Sequence, residues 1–305
     1  MEKQSSSTSS FRNYFLFLLT TMFVVLSIGF ALTKLLEERV IFSSEIHGAS
    51  KINRHLTELH EDEIPIFGSS RADGGYVPSI LGDQYYNYGI QGTQANVWLF
   101  FLENELKKSK TSDIIIDFGL TGFKSNLGDK GNYLPNFSAT KELMGEEVEP
   151  LFYIPVVKYF GWFEDYTRLA VSERMQITKK TDRGGSFELG VLPADKFEKL
   201  VEERYKYPAQ YSSGDTLRDR FHELIQSTTR KIYLVIAPYH KSVIESFINI
   251  EEINAYLEEV GRFPNVEVID LRSIIEEDSL FFNTTHVNYE GAKIFSRRLA
   301  ESIAD

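Results

Sequence analysis

Two short polar stretches, far apart in the sequence, carry the residue types of nucleophilic catalysis. Gly68-Ser69-Ser70-Arg71 directly follows the apolar run 64–67, where a buried strand would end in an exposed turn. His286 lies near the C-terminus in a polar turn, between an apolar run and a helical pattern. A serine hydroxyl beside an imidazole is the arrangement in which histidine acts as general base for a serine nucleophile. Taken singly, the serines also fit a strand cap and the histidine an ordinary turn or helix cap.

The segments between these stretches alternate between strand-like and helix-like patterns. Strands are predicted at residues 64–67, 85–88, 114–118, 232–237 and 266–271, and helices at 95–108, 243–260 and 289–304. This alternation predicts an α/β fold, specifically a flavodoxin-like three-layer αβα arrangement with a mostly parallel five-stranded sheet. Ligands bind such sheets at the carboxyl ends of the strands, so the residues that follow each strand are the candidates for a site.

Three further stretches follow predicted strands, and each contains a residue that could bind a ligand. They are Gly89-Ile90-Gln91-Gly92, Gly119-Leu120-Thr121-Gly122 and Pro238-Tyr239-His240. Glycine lets backbone N–H groups approach a ligand, although a plain turn also explains any one of them. Arg71 and His240 are candidate substrate-binding residues, with a structural salt bridge or cap as the alternative. Residues 123–225 are longer than one crossover requires and are predicted to be an insertion that shapes or covers the site.

The N-terminal part of the chain predicts a membrane anchor. Residues 14–32 contain no charged residue and would span about 28 Å as a helix, close to the thickness of a bilayer's hydrocarbon core. We predict a disordered tail at 1–11, a transmembrane helix at 12–33, a juxtamembrane helix and linker at 34–62, and the main domain at 63–305. A cleaved signal peptide is the alternative for the apolar segment. Basic residues are balanced on its two sides, so charge alone leaves its orientation undetermined.

Composition excludes several classes of function. The chain has 305 residues, no cysteine and a formal net charge of −11. The absence of cysteine excludes disulfides and thiolate chemistry, and the negative charge argues against nucleic-acid binding. No metal-ligand constellation, phosphate-cradling loop or dinucleotide fingerprint is recognisable, so neither a metal nor a cofactor is predicted.

The end stretches together resemble a known family. Gly68-Ser69-Ser70-Arg71 and the stretch 283–292, Asn-Thr-Thr-His-Val-Asn-Tyr-Glu-Gly-Ala, are similar to the end blocks of the SGNH hydrolase superfamily, also called GDSL-like. Its membrane-anchored bacterial branches, DltD-like and alginate-acetylation-like proteins, are the most similar. The resemblance covers residues 63–122 and 230–303. It implies that Ser70 is the nucleophile, His286 the base and Gly92 an oxyanion-hole residue beside the backbone of Ser70.

The sequence departs from the family pattern at two positions that matter for chemistry. Thr121 stands where the family has an asparagine that donates to the oxyanion, and Asn283 stands at the position of the triad aspartate. An asparagine can orient the imidazole, but it brings no negative charge to stabilise the imidazolium.

The resemblance implies a membrane-anchored serine esterase or O-acyltransferase with its soluble domain outside the cytoplasm. It would act on an acylated glycan or an acyl donor at the cell surface, with a membrane-bound acyltransferase as a further candidate partner. Two alternatives stay open, namely a catalytically weakened domain that serves as a binding or assembly partner of such a complex, and a structural membrane protein without a ligand.

Overall fold

A five-stranded parallel sheet forms the centre of the molecule. The computed structural model describes residues 7–41, 48–124 and 179–304. The sheet strands are β1 (Ile64–Phe67), β2 (Tyr85–Asn87), β3 (Ile114–Asp117), β6 (Ile232–Ile236) and β7 (Val266–Asp270). They lie in the order β2-β1-β3-β6-β7, and all four pairings are parallel. Counted along the sheet, this is the 2-1-3-4-5 order of flavodoxin-like folds.

Helices cover both faces of the sheet, so the predicted three-layer α/β fold is confirmed. Their bounds in chain order are α1 (Ser7–Leu36), α2 (Gly48–Thr57), α3 (Ser70–Gly75), α4 (Pro78–Leu81), α5 (Ala95–Leu106), α6 (Ala194–Lys206), α7 (Asp215–Gln226), α8 (Lys241–Glu245), α9 (Ile250–Val260) and α10 (Tyr289–Ala304). Two apolar clusters form the core, one on each face of the sheet. Strand residues alternate between them: Ile114 and Ile116 belong to one cluster and Ile115 to the other.

Two hairpins stand beside the main sheet. The strands β4 (Lys179–Asp182) and β5 (Gly185–Glu188) form an antiparallel pair. The second pair, β8 (Phe281–Asn283) and β9 (His286–Val287), follows a short 3₁₀ helix, Asp278–Leu280, and leads into α10. Within the predicted insertion 123–225, the described residues thus form the first hairpin and helices α6 and α7.

Some predicted boundaries were wrong. Four strands end one residue earlier than predicted, although the next backbone N–H still bonds across the sheet in three of them, as from Tyr88 to Ile66, at 2.8 Å. The helix predicted over 243–260 is two helices, α8 and α9. Asn249 lies between the two helices. Its side chain bonds to both backbone groups of Tyr211, at 2.7 and 3.2 Å, and these bonds hold Asn249 away from the path of a continuous helix.

The N-terminal helix is long and apolar enough to cross a membrane. The candidate span runs from Phe11 to Arg39 with a mean hydropathy of 2.5, and only 6% of its most apolar window is buried. A signal sequence would have the same properties. A short π-helix, Glu37–Ile41, follows α1.

Candidate active site

Ser70 begins the short helix α3, directly after the end of β1. The turn needs glycine at position 68, because a Cβ there would lie 2.6 Å from the Cβ of Ala72 and 2.8 Å from that of Asp117. Because glycine has no side chain, α3 can start close against the neighbouring strand β3. The result is that the first residue of the helix, Ser70, lies at the carboxyl edge of the sheet.

His286 is the first residue of β9, directly after the tight turn that joins β8 to β9. Asn283 and His286 are paired across this hairpin, which places their side chains next to each other. Asn288 fixes the turn to the following helix: its side chain donates to Ser279 O at 2.7 Å and accepts from the Gly291 N–H at 3.1 Å. Gly291 is required because a Cβ there would lie 2.3 Å from Leu280 O. The His-Val-Asn-x-x-Gly stretch therefore holds the imidazole in place.

The fold brings these two ends of the chain together. Ser70 Oγ lies 2.8 Å from His286 Nε2, although the residues are 216 positions apart. The helices behind them are bound to each other, since Ser296 on α10 accepts a hydrogen bond from Val77 N at 2.9 Å. Tyr76 and Phe295 pack edge to face with ring centroids 4.8 Å apart. Packing between these segments thus holds Ser70 and His286 next to each other.

Asn283 determines the tautomer of the imidazole. Its Oδ1 accepts from the backbone N–H groups of Thr285 and His286, at 2.9 and 3.0 Å, which identifies this atom as the oxygen. The same oxygen lies 3.0 Å from His286 Nδ1, with the Thr285 hydroxyl also nearby at 3.1 Å. An oxygen that can only accept requires the proton on Nδ1. The lone pair of Nε2 therefore points at the Ser70 hydroxyl.

The surroundings of His286 keep its imidazole neutral. Burial, together with the positive charges of Arg71, Arg204 and Lys179, lowers the pKa of His286 to about 4. At neutral pH the ring is thus ready to accept a proton. The imidazolium formed by that transfer would have no carboxylate partner at Asn283, so its formation is less favourable than in an Asp-His pair.

The loop from Gly89 to Gly92 lies close to helix α3. A Cβ at Gly89 would lie 2.4 Å from Asp73 N. Asn87 links the two segments: its side chain donates to Ala72 O at 2.7 Å and accepts from Gly89 N at 2.9 Å. Gly92 has a φ of +72°, the left-handed conformation that glycine adopts without strain. This places the predicted oxyanion residue on a loop fixed against α3.

Thr121 lies on the loop after β3. The loop pairs with Ser212, whose N–H donates to Thr121 O at 3.1 Å. The Thr121 hydroxyl lies near Gly119, 3.8 Å from where a Cβ of that residue would be. Among the described residues, no hydrogen bond connects this hydroxyl to Ser70 or His286.

Arg71 and His240, the two candidate substrate-binding residues, both have structural partners. Arg71 pairs with the buried Asp117 at 2.9 Å, and its guanidinium lies 3.7 Å above the ring of Tyr239. His240 is 2% exposed and caps α8, where its Nδ1 lies 2.8 Å from Ser242 Oγ. The geometry favours the alternatives of a salt bridge for Arg71 and a cap for His240.

A cavity of about 180 Å³ opens beside Ser70 and His286. Its lining comes from helix α3, the Gly89–Gly92 loop and both hairpins: Ser70, Gly74, Gln91, Ser186, Glu188, Phe282, Asn283, His286 and Val287. Ser186 and Glu188 were missed by the sequence analysis. They alternate with the core residue Phe187 on β5, so they project from one face of that strand. The only signal for them was the length of the insertion.

Comparison with known proteins leaves the family untested. No family model matches the chain, and no curated protein matches it. One solved structure, described provisionally as a platelet activating factor from Streptococcus pneumonia, is similar over 90% of this chain and 98% of its own, with 14% sequence identity and a TM-score of 0.44.

Proposed function

We propose that the chain is a serine ester hydrolase or O-acyltransferase of the SGNH type, with Ser70 as nucleophile and His286 as base. One observation carries this proposal: Ser70 Oγ lies 2.8 Å from the Nε2 of an imidazole whose Nδ1 faces Asn283 Oδ1. Nucleophile, base and orienting group thus stand in a continuous hydrogen-bonded row beside a cavity, as covalent acyl transfer requires.

The reaction would proceed in two steps. Ser70 Oγ attacks the ester carbonyl carbon while its proton passes to His286 Nε2, and the alcohol leaves with that proton. The acyl group is then bound to Ser70 as an ester. Water or a sugar hydroxyl next gives its proton to His286 and attacks the acyl carbon. His286 returns that proton to Ser70 Oγ as the acyl–Oγ bond breaks, which restores the free serine and the neutral imidazole. The backbone N–H groups of Ser70 and Gly92 would stabilise the oxyanion, with Thr121 as the proposed third donor.

The proposed substrate is an O-acyl group of a cell-surface polysaccharide, and the proposed location is the outer face of the cell membrane. Support comes from the apolar N-terminal helix, which could act as an anchor. It also comes from the resemblance of the Ser70 and His286 stretches to membrane-anchored bacterial SGNH proteins. In a transfer reaction a sugar hydroxyl would take the place of water in the second step.

Asn283 favours one second candidate, a catalytically weakened domain that binds an acylated glycan or a membrane-bound acyltransferase. The residue orients His286 but supplies no negative charge to its protonated form. Binding would not require that charge, whereas turnover benefits from it.

Hydrolysis of an aryl acetate by the full chain in detergent distinguishes the two candidates. We expect turnover by the native protein and a loss of about 10³-fold or more in Ser70→Ala, because the covalent route is removed. Ser69→Ala is the matched control and should retain activity. Native protein and Ser70→Ala that are equally inactive on the aryl ester and on an acylated glycan would contradict the enzyme proposal and support the binding partner.

A further inference from the structure

Lys51, on the juxtamembrane helix α2, contacts two of the segments that surround the candidate site. Its side chain is fully buried, with 0% exposure. The ammonium group donates to Asp73 Oδ1 at 2.7 Å and to the carbonyl oxygen of Gly89 at 2.5 Å. One side chain thus bonds to the nucleophile helix and to the loop that carries Gly92.

Asp73 extends this connection to the cavity. Its second oxygen, Oδ2, accepts from Gln91 Nε2 at 2.8 Å, and Gln91 lines the cavity. Lys51, Asp73 and Gln91 therefore form a row of hydrogen bonds that holds the Gly89–Gly92 loop at Gly89 and at Gln91. The position of the Gly92 N–H relative to Ser70 depends on this loop.

The helix that carries Lys51 is packed into the core. Ile52 is fully buried, and the ring of His55 contacts those of Tyr88 and Phe101 with centroids 5.0 Å apart in each case. Arg54 pairs with Glu63 at 2.7 Å, just before β1. Because these contacts hold α2 against the core, the ammonium group is fixed in position relative to α3.

We propose that Lys51 is a positioning residue that sets the distance between the Ser70 helix and the oxyanion loop, so that the juxtamembrane helix completes the active site. This inference rests on the proposed function. Asp73 is buried, and its carboxylate would be unpaired and destabilising without the ammonium group. Lys51 is not among the residues that line the cavity, so its effect should fall on the transition state and hence on kcat, with little change in KM.

Lys51→Met tests this inference, with Lys110→Met as a matched control. Lys110 is also a buried lysine, with 2% side-chain exposure, and it bonds to one carboxylate, Glu105, and one backbone carbonyl, Glu63 O, each at 2.9 Å. It precedes β3 and so lies at the opposite, amino edge of the sheet. Both variants lose a buried ammonium group, and in Lys110→Met the carboxylate of Glu105 keeps Lys108 and Arg230 as partners. Only Lys51 joins the elements of the site.

Aryl acetate hydrolysis and thermal unfolding are measured on the full chain in detergent. We expect Lys51→Met to lower kcat by about tenfold to a hundredfold, the scale for a displaced reactive group. Lys110→Met should change kcat by less than about threefold, with a loss of thermal stability no greater than that of Lys51→Met. Equal kcat values in the two variants would contradict the positioning role. An inactive native protein would instead contradict the proposed function itself.

The double variant Lys51→Met/Asp73→Asn separates positioning from stability, and it replaces Lys51→Met if that variant does not fold. It leaves no unpaired buried charge, so stability should recover. The link to Gly89 O is still missing, and kcat should therefore stay low. Recovery of kcat together with stability would show that Lys51 only neutralises Asp73.

Discussion

In the proposed mechanism, Asn283 performs one of the two tasks of an aspartate beside a general base. Its Oδ1 accepts from Nδ1 of His286 and so fixes the ring and its tautomer. It has no charge, however, with which to stabilise the imidazolium, and burial already lowers the pKa of His286 to about 4. Asn283 thus orients the imidazole of His286 but leaves the imidazolium without a stabilising negative charge.

Asn283→Asp should therefore increase turnover. An adjacent negative charge favours the protonated imidazole, which lowers the barrier to proton transfer from Ser70. We expect kcat for aryl acetate to rise by about tenfold or more. The upper bound on this gain is about 10⁴-fold, the loss in kcat that accompanies the reverse change, Asp to Asn, in serine proteases. A wrong tautomer of the histidine contributes to the loss in those enzymes.

The pH profile checks the cause of this gain. Since only neutral His286 can accept a proton, kcat/KM of the native protein should fall as the pH drops through about 4. Asn283→Asp should move this acid limb to higher pH, because it raises the pKa of His286. Asn254→Asp, which adds the same charge on α9, should leave rate and profile unchanged. A faster Asn283→Asp variant with an unmoved acid limb would show that charge is not the cause.

The spacing between helix α3 and the loop from Gly89 to Gly92 is the critical feature at the level of elements. A Cβ at Gly89 would lie 2.7 Å from the Cβ of Ala72 and would also lie close to Asp73 N. A Cβ at Gly75, which lies in α3, would meet nothing within 4 Å. The loop and α3 can touch only because position 89 has no side chain.

Gly89→Ala should therefore push the loop away from α3. We expect a loss of about a hundredfold or more in kcat, as for a misplaced oxyanion donor, together with a lower melting temperature. Gly75→Ala is the control and should retain both activity and stability. If Gly89→Ala kept native kcat, the contact between loop and helix would have no role in catalysis.

The elements that carry the site differ in how far the sequence predicts them. The strand before Ser70 and the helix after His286 were predicted because hydrophobic periodicity is local and marks their ends. The β5 hairpin was missed, since Ser186 and Glu188 form no motif and reach the cavity only through tertiary packing. The docking of α2 was missed for a similar reason: amphipathic spacing predicts a helix, but not the surface on which Lys51 is buried.

At the level of the whole molecule, the sheet order explains how distant residues meet. Ser70 follows β1, near one side of the sheet, while β7 forms the opposite edge. The segment after β7 must therefore cross the carboxyl edge before α10 packs against α3, and His286 lies on this crossing. A five-stranded parallel sheet was predictable from the alternation of elements. The pairing of Ser70 with His286 was predicted only through the family resemblance, because sequence separation says nothing about distance across a fold.

Labelling with a fluorophosphonate tests most directly whether folding makes Ser70 a nucleophile. In the full chain in detergent, we expect one covalent adduct on the peptide that contains Ser70, retained in Ser69→Ala and lost both in His286→Ala and in denaturing urea. The two losses follow because the hydroxyl is activated only where the fold places the imidazole beside it. Labelling of Ser69, or equal labelling of native and unfolded chains, would contradict the account.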